Sequence, residues 1–314
     1  MTQLTTATID ERVSAEAPSR SVWADAWRRL RKNKLAMVCL VIVSAYVVVA
    51  LLVALRLLAV NWDQTVGNAY EPPSWSNPFG TDIFGRSVWR KTLYGAKISL
   101  TVATLASVIS VLIGLPLGAI AGFFGKWVDE IIVWLYSTLQ SIPYILLILA
   151  FAFVLRDKIL FKGTTYEVSL SGMTAVYLAI GLTSWVGLCR LIRGEVIKHK
   201  QHDYVIAARS FGAGNFYIIF RHILPNVFHL VIIDFSLRFV SFIHAEAILS
   251  FLGLGAKDVP SWGVMIDDAR LELGRGVWWQ MAAATAAILF ISLALNIFGD
   301  ALRDAIDPKL KRAV

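Results

Sequence analysis

The sequence predicts an all-α integral membrane chain with six transmembrane helices. Three observations predict it. Of the 314 residues, 57% are hydrophobic and 17% charged, and the mean hydropathy is +0.64; a soluble domain has roughly half apolar and a quarter charged residues. Six apolar runs approach or exceed the ~20 helical residues that a hydrocarbon core requires. The basic residues that give the net charge of +8 lie beside those runs, which fits the positive-inside bias better than a nucleic-acid surface.

Residues 1–20 are polar, rich in Ser, Thr and Ala, and are expected to be a disordered tail. Residues 21–34 set Trp23, Trp27 and Leu30 at i, i+4 and i+7 among Arg28, Arg29, Arg31, Lys32 and Lys34. That pattern predicts a basic amphipathic helix on the membrane surface, and it is equally a basic flank that orients the first span. Residues 35–97 comprise the first span, about Leu35 to Ala59, and a polar segment rich in Pro and Gly. Arg56, near the far end of that span, is placed to snorkel. The run is too long, and starts too late, for a cleaved leader.

The core, 98–303, holds the other five spans. Span two, about Ile98 to Phe124, carries Gly114, Gly118 and Gly122 four apart, a face another helix can approach closely. Pro116 is expected to bend it. A tight turn at Gly125–Asp129 leads to span three, about Glu130 to Val154. Its Ser137, Thr138, Gln140 and Ser141, just before Pro143, serve either helix packing or a translocation path. A polar loop, 155–170, precedes span four, about Ser171 to Leu191. The long basic loop 192–226 follows. Span five, about Val227 to Leu252, contains Asp234, Arg238, His244 and Glu246. Asp234 and Arg238 share a helical face, so an ion pair is favoured over a substrate contact. With Glu246 they are nonetheless the candidate path residues, because buried charge is expensive. Glu246 and His244 are expected within reach of water at the outer end. Span six runs from about Val277 to Gly299, and residues 304–314 form a terminal tail.

An even number of spans puts both termini on one side. The two terminal regions, the turn 125–129 and the loop 190–226 carry 18 Lys and Arg, against 10 in the three opposite connections. The termini and the loop are therefore expected in the cytoplasm. Cys39 and Cys189 fall inside apolar runs and read as buried thiols rather than a disulfide.

Several chemistries lack their residues. Walker A, G-x4-G-K-[ST], is absent: Trp127 follows Gly125-Lys126, and Ile120 stands where the first Gly belongs. There is no H-E-x-x-H and no G-x-S-x-G, and the five His residues form no ligand set. No cofactor, metal or nucleic acid is expected, and a membrane enzyme has no catalytic set. A secondary transporter would need inverted repeats with broken helices, and no repeat stands out.

The stretch His202–Pro225 is too elaborate for a connector. It reads as a helix from Asp203 to Phe211, a turn at Gly212–Gly214, and a second helical piece stopped near Pro225. Ala207-Ala208, then Gly212, then Leu224-Pro225 resembles the EAA loop of ABC importer permeases, E-A-A-x3-G-x9-I-x-L-P. Ile206 stands in place of the Glu and His222 in place of the Ile. The stretches 77–100, 248–266 and 299–308 resemble the peptide-importer branch, in particular its second permease subunit. The resemblance implies a binding-protein-dependent, six-helix permease in a bacterial inner membrane. It implies as partners a second homologous permease, two ABC ATPase subunits that hold ATP and Mg, and an external solute-binding protein that delivers short peptides. Relatives of the branch also carry murein peptides or nickel complexes. On this reading Tyr204, Ala207, Ala208, Arg209, Gly212, Leu224 and Pro225 couple the chain to an ATPase. Gly80, Thr81, Asp82, Gly85 and Arg86 either meet the binding protein or peptide, or build a folded outer lid.

Overall fold

The computed structural model describes residues 22–156, 158–160, 168–170, 172–256 and 258–306. The tail 1–20 and residues 307–314 lie outside the described residues. Helix α1, Val22–Lys32, is separated from α2, Lys34–Ala54, by Asn33, whose Oδ1 accepts from the Ala36 amide at 3.1 Å and caps the first span. Trp27 and Leu30, three residues apart, do not share one environment. Leu30 is buried with Ala26 and Ala36 against Ala305 and Ile306, while Trp27 is exposed beneath Arg31. The first span ends at Ala54, earlier than expected, so Arg56 sits in a left-handed turn beyond it.

Helix α3, Val88–Phe124, begins ten residues before the expected Ile98 and takes the end of segment 35–97 into the core. Its three glycines do what their spacing predicts. A Cβ at Gly114, Gly118 or Gly122 would lie 2.7, 2.5 or 2.7 Å from the carbonyl oxygens of Trp185, Cys189 and Arg193. Two backbones touch along this seam. Cys39 and Cys189 are both buried and free.

Gly125, at φ +65°, turns the chain at once into α4, Lys126–Gln140, with no separate loop. The third span is not straight: α4 and α5, Tyr144–Leu155, meet at 93° across Ser141–Pro143. Pro143 has no amide to donate and disfavours helical backbone at Ile142, so the break falls where the sequence puts the proline. The stretch expected as a polar loop contains a small antiparallel hairpin, β1 (Lys158–Leu160) with β2 (Val168–Leu170), pairing Ile159 with Ser169. Helices α6, Met173–Ser184, and α7, Val186–His199, follow each other as one span of 27 residues.

Beyond α8, Asp203–Ser210, the short α9, Asn215–Tyr217, passes through a π-helical turn at Ile218–Ile223 into α10, Leu224–Phe251. Pro225 therefore does not stop a helix, and the fifth span does not start at Val227. The proline occupies the first turn of α10, and the wider turn before it removes the i→i−4 bond that it cannot make. Helix α11, Trp262–Glu272, is capped by Ser261, whose Oγ accepts from the Val264 amide at 3.2 Å. Helix α12, Trp279–Ile306, runs past the expected end at Gly299.

Counting the bent pair as one, six helical segments among the described residues are long and apolar enough to cross a membrane. The main core joins α3, α5, α6, α10, α11 and α12 around Ile180, Ile243, Trp262 and Ala284, and a second cluster fills the end that carries α8.

Candidate functional site

Three places hold the residues singled out from the sequence. At one end of the molecule α8 lies across the ends of α3 and α7. Val205, its only buried side chain, enters a cluster with Phe123, Ile192, Val196, Ile218 and Ile223. Tyr204 is anchored by His199 Nδ1 at 2.8 Å, and burial raises its phenol above the usual range. The Arg209 guanidinium sits 5.8 Å from the Phe123 ring centre, and Lys200 lies 5.7 Å from the same ring. Ala207 is exposed and Ala208 half-buried, so the small pair forms part of the outer surface of α8. Gly212, at φ +79°, has no atom within 4 Å of where a Cβ would stand; it is needed for its backbone rather than for space. Around these residues the loop exposes Ile206, Phe211, Phe216, Tyr217 and Phe220, with Phe211 at 91%. Exposed apolar side chains gathered around small residues are features of an interaction surface. The sequence reading missed this rim. Its signal was Phe211, Phe216 and Phe220 in a polar loop.

At the opposite end Gly80, Thr81, Asp82 and Gly85 are buried and Arg86 partly so. Gly80 (φ +61°) and Gly85 (φ +68°) make two tight turns, each against another backbone carbonyl. Thr81 Oγ1 donates to the Asn68 carbonyl at 2.7 Å and accepts from the Glu71 amide at 2.8 Å; the indole of Trp279 donates to the Thr81 carbonyl at 2.9 Å. Asp82 accepts from the amides of Phe84 and Arg86, from Arg86 Nε at 2.8 Å, and from Lys91 Nζ at 2.9 Å. Burial by itself would raise the Asp82 carboxyl. Lys91, Arg86 and that amide outweigh it and hold the carboxyl below its usual range. Lys91 also reaches Gln280 Oε1 at 3.3 Å, tying this knot to α12. Neither Lys91 nor Gln280 was singled out, although a lysine so close to an apolar run was a signal. The segment turns Ile83 and Phe84 outward. Beside it a cleft of about 270 Å³ is lined by Asp82, Arg86, Lys91, Asp268, Glu272 and Arg275. Glu272 is 5% exposed, and its burial pushes the carboxyl up to about 7.

The charged residues of the fifth span separate into two roles. Arg238 Nε donates to Asp234 Oδ1 at 2.7 Å, as the spacing predicts, and Nη1 reaches the Ser184 carbonyl at 3.3 Å. Glu246 is not within reach of water; it is fully buried. Its oxygens accept from Ser99 Oγ at 2.8 Å and Ser250 Oγ at 2.7 Å, and Ser99 Oγ in turn accepts from the Trp262 amide at 3.4 Å. Glu246 pins α3, α10 and α11 together. His244 is more exposed and meets Ser292 Oγ at 3.0 Å. Arg238 alone of the three lines a cavity of about 600 Å³ at the bend between α4 and α5.

Residues 114–312, more than half the chain, match the family described as the binding-protein-dependent transport system inner membrane component. The chain belongs to this family. The N-terminal part of the permease, residues 21–73, matches the N-terminal TM domain of oligopeptide transport permease C. The permease is 37% identical to a dipeptide transport system permease protein of Bacillus subtilis (strain 168), over 95% of its own length and 89% of that protein. It is 33% identical to an oligopeptide transport system permease protein of the same organism, over 94% and 92%. A glutathione transport system permease protein of Pectobacterium atrosepticum is 34% identical over 93% of each chain. The fold is similar to that of the MetNI methionine ABC transporter in an inward-facing conformation, with a TM-score of 0.51 at 15% identity, covering 68% of the permease and 94% of that chain.

Proposed function

We propose that this permease is a transmembrane subunit of an ATP-driven importer that takes up short peptides across a bacterial inner membrane. The observation that carries the proposal is the loop at α8: an exposed small-residue face with an apolar rim, seated on the ends of α3 and α7. The names of the similar permeases support a peptide substrate. The loop docks an ATPase subunit, which hydrolyses ATP, and Tyr204, Ala207, Ala208, Arg209 and Gly212 shape the docking face. Leu224 and Pro225 start the helix that carries the motion onward. A second, homologous permease covers the open face of the bent third span. An extracytoplasmic binding protein meets the end that carries Ile83 and Phe84. The Lys and Arg excess at the α8 end supports a cytoplasmic position for that loop and both termini.

The test is a cysteine at Ser210, an exposed position on α8. Ser210→Cys should crosslink to a copurifying ATPase and be labelled only from the cytoplasm. Gly212→Asp should abolish ATP-driven uptake and leave the protein in the membrane, since it perturbs the left-handed turn at φ +79° and sets a carboxylate on the docking face. Labelling of the Ser210→Cys variant from outside the cell, or wild-type uptake by Gly212→Asp, refutes the assignment.

A further inference from the structure

The bend in the third span opens a cavity that the family assignment does not explain. Its volume is about 600 Å³, within the roughly 300–1,000 Å³ typical of small-molecule sites. Its polar lining is Gln140, Tyr144, Thr183, Ser184, Arg238 and Ser241, so Arg238 is the one charged residue among those described. An ionised group among spanning helices is costly and normally has a task or a complete set of partners. Arg238 does not have a complete set. Asp234 holds Nε and the Ser184 carbonyl holds Nη1, while Nη2 has no hydrogen-bond partner among the described residues. Room for it is made by Gly187, where a Cβ would collide with Nη2. Next to it Tyr144 and Ser184 pair their hydroxyls at 2.9 Å, a donor pair that can turn toward an incoming oxygen.

The break also seats α5 on α6; what that packing leaves open is the cavity at the bend, and Gly187 is the residue that makes room there for the guanidinium. Any larger residue at 187 would displace the guanidinium. Arg238 is partly exposed, at 33% of its side chain, and Asp234 is 12% exposed. Arg238 lines the cavity and Asp234 does not, so the cation is toward the cavity and the anion away from it. A fork of N–H donors is the chemistry that recognises a carboxylate.

We propose that this cavity is a way-station inside the membrane where Arg238, helped by the Tyr144 and Ser184 hydroxyls, receives the terminal carboxylate of a peptide in transit. This rests on the peptide-importer reading. Asp234 orients the guanidinium through Nε, and it offsets the charge while the cavity is empty. The binding is non-covalent and is relieved when the helices around the bend rearrange.

The experiment uses the whole importer complex in vesicles, with Cys39 and Cys189 replaced by Ala and Ser241→Cys placed on the cavity wall. Two small thiol reagents of opposite charge are compared. The anionic reagent should react at least tenfold faster than the cationic one, and Arg238→Gln should abolish or reverse that preference. A dipeptide with a free carboxylate should protect the introduced thiol, and the same dipeptide as its C-terminal amide should not. Arg238→Lys should retain part of both effects. Because Arg238→Gln leaves Asp234 unpaired, Asp234→Asn/Arg238→Gln is run beside it as a charge-balanced variant, and it should behave like Arg238→Gln. An anionic preference that survives in both variants, or equal protection by peptide and amide, overturns the proposal. Uptake of the dipeptide by the parent vesicles is measured in parallel. If the parent vesicles take up no peptide, the importer reading has failed. If uptake is intact but the introduced thiol is insensitive to reagent charge, only the way-station has failed.

Discussion

Lys91→Met should destabilise the permease by about 3 kcal/mol. Lys91 is 3% exposed and its ammonium lies 2.9 Å from Asp82, itself 1% exposed. At an effective dielectric constant of about 20, two unit charges at that distance attract by about 6 kcal/mol. Removing one partner of a buried pair typically costs about 3–5 kcal/mol, because the other charge stays behind. Two features place the cost at the lower end. Arg86 Nη2 also contacts Asp82 Oδ2, at 2.8 Å, and remains after the change. Methionine also fills most of the volume of the lysine stem. At roughly 2–4 °C per kcal/mol, the melting temperature of the purified protein should fall by about 6–12 °C. A thermal-shift measurement in detergent reads this directly. Asp82→Asn alone leaves Lys91 buried, with Gln280 at 3.3 Å and the more exposed Asp268 at 3.7 Å. The double variant Asp82→Asn/Lys91→Met removes both charges, so it should lose clearly less stability than the two single variants added together. A shift under about 2 °C for Lys91→Met, or strict additivity in the cycle, would show that this pair is not what holds the outer segment to α3 and α12.

Two further outcomes follow from packing and titration. Gly118→Ala puts a Cβ 2.5 Å from the Cys189 carbonyl and 3.0 Å from Ile192 Cβ, which forces α3 from α7 and should cost about 1–3 kcal/mol. Gly194→Ala, with nothing within 4 Å, should instead gain about 0.5–1 kcal/mol from the stiffer helix; equal effects of the two substitutions in a melting assay would refute the seam. Glu272, lifted by burial from 4.5 to about 7, keeps a proton in the folded state that the unfolded chain releases near pH 4.5. Stability should therefore fall as pH rises between about 4.5 and 7 and level off above. Glu272→Gln should flatten the melting profile across that window and melt higher than the parent at pH 8. A parallel shift at every pH would exclude Glu272 as the source.

Much of the fold was legible because spans obey one-dimensional rules. Apolar length located all six, and the spacing of Gly114, Gly118 and Gly122 marked a close-approach face on α3, though not α7 as the helix that meets it. The Asp234–Arg238 bond was legible for the same reason, since both residues lie on one helix. What the sequence hid depends on contacts far along the chain. Lys91 and Gln280 are 189 positions apart, and no local period links them. Glu246 looked like a residue facing water because its serine partners come from α3 as well as from its own helix. The ends of helices were misjudged where polar residues continue a helix beyond the membrane, at Val88 and beyond Gly299. Pro225 misled because a π-helical turn lets the chain carry a proline without ending the run. The loop surface was half legible: the Ala-Ala-x3-Gly core was plain, while the exposed phenylalanines around it gained meaning once Val205 and Ile218 were seen to fill the other side.

That inner filling has a mechanical consequence. Val205 and the π-turn isoleucines share one packed cluster with Phe123 of α3 and Val196 of α7, and interiors packed to crystal-like density resist compression. The segment that a partner would grasp is therefore a handle set into the frame rather than a tab hung from it. A push on its apolar rim reaches two spans through side-chain contact and a third through an unbroken helix, with almost no backlash. A looser loop would dissipate the first few ångströms of the stroke; here even a small displacement is delivered to the helices that surround the bend.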